Sequence, residues 1–157
     1  MSQVINKLLQ ENRFNIYSNE KMRTEDIKFL AKKFCETKKE DLKNYLSMDR
    51  AFSKMCWMNY VYIIKEMPYS KKIEEIDILF EFLKDMNWPV AKESMNVIAD
   101  LKKKDIIFSI EKFLICAYEE KDYMWISGIY VLSKQVGLSK DDFINKDIFK
   151  IFQYRDF

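Results

Sequence analysis

At 157 residues the chain is the size of one ordinary domain, and 48% hydrophobic with 33% charged residues marks a globular protein rather than a disordered one. Its 27 basic and 25 acidic side chains leave a formal charge of +2, so no overall field points to a polyanionic partner. Histidine is absent, which removes the usual nitrogen ligand for zinc and the usual general base near neutral pH.

Cys35, Cys56 and Cys116 are odd in number, far apart and set among apolar residues. That pattern predicts buried free thiols in a reducing, cytoplasmic compartment rather than a disulfide framework. The opening MSQVINKLLQENRF turns polar too early for a signal peptide. Charges interrupt every apolar run before the roughly 20 residues that span a bilayer, so membrane insertion is not expected.

Two glycines, two prolines and apolar spacing of three to four residues predict an all-α fold. Val4, Leu8 and Leu9 mark a first amphipathic segment. Thr24 then caps a helix carrying Ile27, Leu30, Ala31 and Phe34 on one stripe. Thr37 with Glu40 reads as a capping box before a short helix with Leu42, Tyr45 and Leu46. Asp49 opens the next helix, whose AFSKMCWMNYVYIIKEM run ends at Met67 and is the most apolar in the chain. Four helices of similar length follow, over residues 71–85, 88–103, 105–119 and 122–136. Asn87 serves as an N-cap with Trp88 and Pro89 in the first turn, and Lys102 to Lys104 closes that helix with the favoured charge sign. Asp105 caps the third helix, and Gly137 stops the fourth. A terminal segment starting at Ser139 or Asp141, with Phe143, Ile144, Ile148, Phe149, Ile151 and Phe152, forms a lid on the core.

The short corners suggest two antiparallel hairpins that bury their apolar faces by stacking, with a compact helical bundle as the alternative. The whole is read as one domain over 1–157. It comprises a helical part over 1–69 without further assignment, a stacked part over 70–136 and a capping segment.

The passage Asp85, Asn87, Trp88, Pro89, Val90 and Ala91 resembles the signature of an uncharacterised bacterial family of HEAT-like helical modules. Met124-Trp125 after an acidic corner is similar to that family's second short motif. The likeness covers about residues 70–136 and implies HEAT-like hairpins, and the family brings no established active site to carry over. Small helical proteins of this sort resemble neighbours of bacterial toxin and immunity systems. The implied partner is therefore another protein, a toxin or effector, which the chain would bind and neutralise.

Two sites follow from these readings. Asp85, Asn87, Trp88, Tyr123 and Trp125 are the candidate protein-binding residues, since tryptophan and tyrosine anchor interfaces; the alternative for Trp88 and Pro89 is a wedge that holds two helices together. Arg23, Lys28, Lys32, Lys33, Lys39 and Lys43 are the candidates for a rival role at a nucleic-acid backbone. Five acidic residues interrupt that basic stretch between Lys21 and Lys43. No cofactor or metal is called for, and no residue is assigned a catalytic role: neighbouring carboxylates such as Glu74-Glu75 diverge around a helix, and Cys56 has no histidine to activate it.

Overall fold

The computed structural model describes residues 15–17 and 21–157, so the amphipathic segment with Val4, Leu8 and Leu9 lies outside the described residues. Every regular element among the described residues is helical, and none is a strand. By its internal contacts the chain forms two compact units, Met1–Ile78 and Leu79–Phe157.

In the first unit, α1 (Thr24–Cys35) packs on α3 (Trp57–Glu66). Ile27, Leu30, Ala31 and Phe34 form the predicted buried stripe of α1. Trp57, Tyr60, Val61, Ile63 and Ile64 of α3 are buried, while Lys65 and Glu66 at its end are exposed. Asn59 is also buried there, and its amide oxygen accepts a hydrogen bond from the Met22 backbone at 3.2 Å. Between them lies α2 (Lys39–Leu42), one turn that sinks Leu42. After Pro68 the chain continues as α4 (Tyr69–Glu74) and α5 (Asp77–Glu81), where the division between the units falls.

Several predicted helix starts are displaced. Arg23, not Thr24, sits at the N-cap of α1. Its guanidinium pairs with Asp26 at 3.0 Å. Thr37 closes α1 rather than opening α2, because its hydroxyl donates to the Lys33 carbonyl at 3.0 Å while its own amide still turns back to Phe34. The helix expected from Asp49 begins only at Trp57, after 3-10 turns at Met48–Arg50 and Lys54–Cys56. The single helix expected over 71–85 is instead α4, α5 and a 3-10 turn, Phe82–Lys84. Ile76, Leu79, Phe80, Phe82 and Leu83 are all interior; on a straight helix they would share one broad face of roughly 160°, so the apolar pattern alone does not call for the break.

The second unit holds α6 (Pro89–Ala99), α7 (Lys103–Glu119) and α8 (Tyr123–Gln135). Helix α8 packs on α7 and returns onto the Phe82–Lys84 turn. The terminal 3-10 helix Ile148–Tyr154 lies against both α7 and α8, with Phe143 and Phe152 inside. Buried Glu111 of α7 accepts from the Asn145 amide at 3.0 Å, and Ser127 of α8 accepts from the Asp156 amide at 2.9 Å.

The lysine run does not close α6, which ends at Ala99. Lys102 is instead the N-cap of α7, with Lys103 and Lys104 in its first turn. That end of a helix disfavours cations. Lys103 instead reaches the loop just past the C-terminal end of α8, donating to the Gly137 carbonyl at 2.6 Å. Asp105 lies inside α7's first turn rather than at its cap. Gly137 takes a φ of +67° at the end of α8 as predicted, and the Leu138 and Gly137 amides bond back to Ser133 and Lys134. Cys56 is buried, whereas Cys35 and Cys116 are only half-buried; all three thiols are free.

Candidate functional site

Two corners of the second unit carry the protein-binding residues. At the first, residues 85–88, the residue before Pro89 is driven out of helical backbone, so Trp88 occupies the N-cap of α6 with ψ 131°. Asn87 therefore does not cap. Asp85 organises the turn: its carboxylate accepts from the Asn87 amide at 2.8 Å and its carbonyl from the Trp88 amide at 3.0 Å. Asn87 is exposed, and Asp85 and Trp88 are half-buried, so the Trp88 ring is neither a fully packed wedge nor an open anchor.

The second corner, residues 119–123, closes α7 with the same bonding pattern that closes α8. The Asp122 amide returns to Ala117 at 2.9 Å and the Lys121 amide to Tyr118 at 3.1 Å. Lys121 has a φ of 55°, a left-handed backbone that a side chain disfavours. Asp122 then caps α8 by accepting from the Trp125 amide at 2.9 Å.

Trp125, one of the predicted partner residues, is only 2% exposed. Its indole N–H donates to the Phe80 carbonyl at 2.8 Å, and Phe113 packs beside it in a stack with Phe80. Lys84 covers the ring, with its ammonium 4.1 Å from the centroid, and reaches Glu120 at 3.4 Å. The two corners are thus tied together through Lys84, and Trp125 is the post beneath them. Gly128, one turn further along α8, lies against the Leu83 backbone with no room for a side chain.

Beside this junction four large side chains face outward: Tyr118, Tyr123, Met124 and Tyr154, each between 41% and 45% exposed. The Tyr118 and Tyr154 rings stand 5.0 Å apart. Hydrogen bonding with Tyr154 pushes the Tyr118 hydroxyl above its ordinary pKa, with Tyr123 adding to the effect. Glu119 and Glu120 are exposed in the same corner and Asp122 is half-buried. Tyr154 arrives from the terminal segment, and no local spacing in the sequence relates it to Tyr118. The one readable sign at this corner is negative: a helix end without the glycine that usually supplies its left-handed turn.

The matched family supplies the wider setting. The family described as Domain of unknown function (DUF5071) matches residues 58–153, more than half of the chain. The chain belongs to the DUF5071 family. The DUF5071 match runs from α3 into the terminal 3-10 helix and contains both corners. It starts earlier and ends later than the stretch over 70–136 that carries the sequence likeness. No curated protein and no solved structure matches the chain.

The basic candidates of the first unit do not form one array. Arg23 is paired with Asp26, and Lys33 with Glu36 at 3.3 Å. Lys39 lies close enough to Glu75 to act on its titration, and Lys43 is exposed. Lys28 and Lys32 do come together, over a hollow beside Cys35. Glu74 and Glu75 diverge as expected. The Lys71 ammonium, 2.7 Å away, holds the Glu74 carboxyl below its usual range, whereas burial pushes Glu75 up. Burial likewise raises the Cys35 thiol, against the opposing effect of Lys71, the reverse of what an activated nucleophile needs. Among the described residues no His, Cys, Asp and Glu cluster could hold a metal ion, and no helix is long and apolar enough to cross a membrane.

Proposed function

We propose that this DUF5071 protein is a protein-interaction module that grips a basic partner through the paired corners of its second unit. The observation that carries the reading is the outward cluster of Tyr118, Tyr123, Met124 and Tyr154 beside Glu119 and Glu120. Tyrosine and methionine give contact area at low ordering cost, and the tyrosine faces with the carboxylates favour a lysine or arginine opposite. Asp85 and Asn87 form the neighbouring rim, while Trp125 supports the surface from below. A HEAT-like stack of hairpins is the architecture proposed for this region; the packing of α8 on α7 and on the Phe82–Lys84 turn supports it.

The partner proposed is a toxin or effector that the module neutralises in the bacterial cytoplasm, a choice resting on the sequence resemblance. The nucleic-acid reading ranks second because carboxylates already engage Arg23 and Lys33. The test is capture of partners on the full chain, followed by calorimetry with the purified partner. Tyr118→Ser with Tyr123→Ser should weaken binding by about tenfold or more while helicity is unchanged. Undiminished binding by that variant would remove the corner surface from the mechanism.

A further inference from the structure

The first unit carries a second feature, independent of the corners. Along the seam between α1 and α3 lie two neighbouring hollows of about 280 and 290 Å³ that share Glu66. Ala31, Cys35 and Pro68 floor the first, and Met22, Ile27 and Tyr62 floor the second. Lysines rim both: Lys28 and Lys32 at the first, Lys21 and Lys65 at the second, all four exposed. Among the described residues no ion pair engages Lys28, Lys32 or Lys65. Among the described residues, Glu66 at the waist is the one acidic residue lining either hollow.

From these facts we infer that the α1–α3 seam is a docking groove for an acidic amphipathic helix of a partner protein. The lining positions of α1 run from Thr24 through Ile27, Lys28, Ala31 and Lys32 to Cys35, a single three-turn face. At about 1.5 Å of rise per residue the centres of the two hollows are roughly 9 Å apart along α1. Side chains two turns apart on a helix, at i and i+7, are separated by about 10 Å and point the same way, so two such apolar anchors fill both hollows. A strand places its same-face residues roughly 7 or 13 Å apart and fits the pair poorly. Four lysines against one carboxylate select acidic flanks on the docking helix, and Glu66 leaves a place for one basic residue between the anchors. A nucleic-acid backbone would meet the lysines but leave both apolar floors uncovered and bring phosphate to Glu66.

The probe is a helix-stapled peptide with leucines seven positions apart and glutamate flanks, tested on the full chain beside its lysine-flanked counterpart and a short RNA duplex. Cys35 is the reporter, because it floors one hollow, and half-buried Cys116 of the second unit is the internal control. The acidic peptide should bind by anisotropy, weaken as salt rises, and slow alkylation of Cys35 by about fivefold or more without changing Cys116. Lys28→Glu with Lys32→Glu should cut its affinity by about tenfold at unchanged helicity. The Tyr118→Ser, Tyr123→Ser variant should bind it like wild type, which separates this groove from the corner surface. Equal binding of both peptides, an unprotected Cys35, or protection by the duplex alone would each overturn the inference.

Discussion

Replacing Gly128 by alanine sets two general effects against each other. In a helix interior the exchange ordinarily gains about 0.8–1 kcal/mol, because alanine loses less backbone freedom on folding. Here the new methyl group would overlap the Leu83 carbonyl oxygen and stand 3.2 Å from both the carbonyl carbon and the Cβ of Leu83. Overpacking typically costs about 1–3 kcal/mol. The upper end applies because the obstacle is backbone, which cannot rotate aside, in a turn tethered by the Trp125 indole and lined by fully buried Phe82 and Leu83. The two effects leave a net loss of about 2 kcal/mol. With a urea slope of about 2 kcal/mol per molar, the unfolding midpoint followed by circular dichroism should fall by roughly 1 M. A midpoint unchanged or raised would refute the close approach of α8 to the Phe82–Lys84 turn, and with it the tie between the corners.

Trp125→Phe should cost about 1–3 kcal/mol in the same experiment, since it leaves the buried Phe80 carbonyl without its donor; a loss near zero would return Trp125 to the list of surface residues. Lys121→Gly should stabilise by about 0.5–1 kcal/mol, the left-handed strain released less the added freedom of glycine in the unfolded chain, and a loss would argue against the φ of 55°. Burial raises the Glu75 pKa in the folded state, outweighing Lys39 and Lys71. The folded protein therefore holds this proton more tightly than the unfolded chain. The stability it contributes is fully present below the unfolded value of about 4.3 and is lost as pH rises through the folded one. Glu75→Gln should accordingly gain on wild type between pH 4 and 7, and a gap that opened towards acid would contradict the shift.

Periodicity made the helical interior legible: the Ile27, Leu30, Ala31, Phe34 stripe and the apolar run of α3 lie where their spacing places them. The punctuation was less legible, because the same side chain can serve either of two adjoining helices. Thr37 reads as an N-cap and acts as the last bond of α1; Lys103 reads as the end of α6 and instead braces the end of α8, 34 residues away. The division of labour among the motif residues was not legible either. Trp125 and Trp88 look alike as aromatic anchors beside acidic turns, and only the fold reveals that Phe80, Phe113 and Lys84 enclose one while the other stays half-exposed. Tyr154 joins Tyr118 from the far end of the unit, a long-range contact that no local pattern encodes.

Comparing the two helix ends of the second unit sharpens the case for the corner surface. Both α7 and α8 finish with the same pair of backward amide bonds and a residue in left-handed backbone. At α8 that residue is Gly137, which adopts the conformation freely, and the adjoining loop serves structure by receiving Lys103. At α7 it is Lys121, which carries a steric cost that glycine would avoid. The surrounding bonds do not require a side chain there: they run between backbone atoms of residues 117, 118, 121 and 122. Local strain of this kind concentrates where function overrides stability. Its position between Tyr118 and Tyr123, in the corner that also exposes Glu119 and Glu120, makes the strained end, rather than the relaxed one, the one that fits the proposed interaction surface.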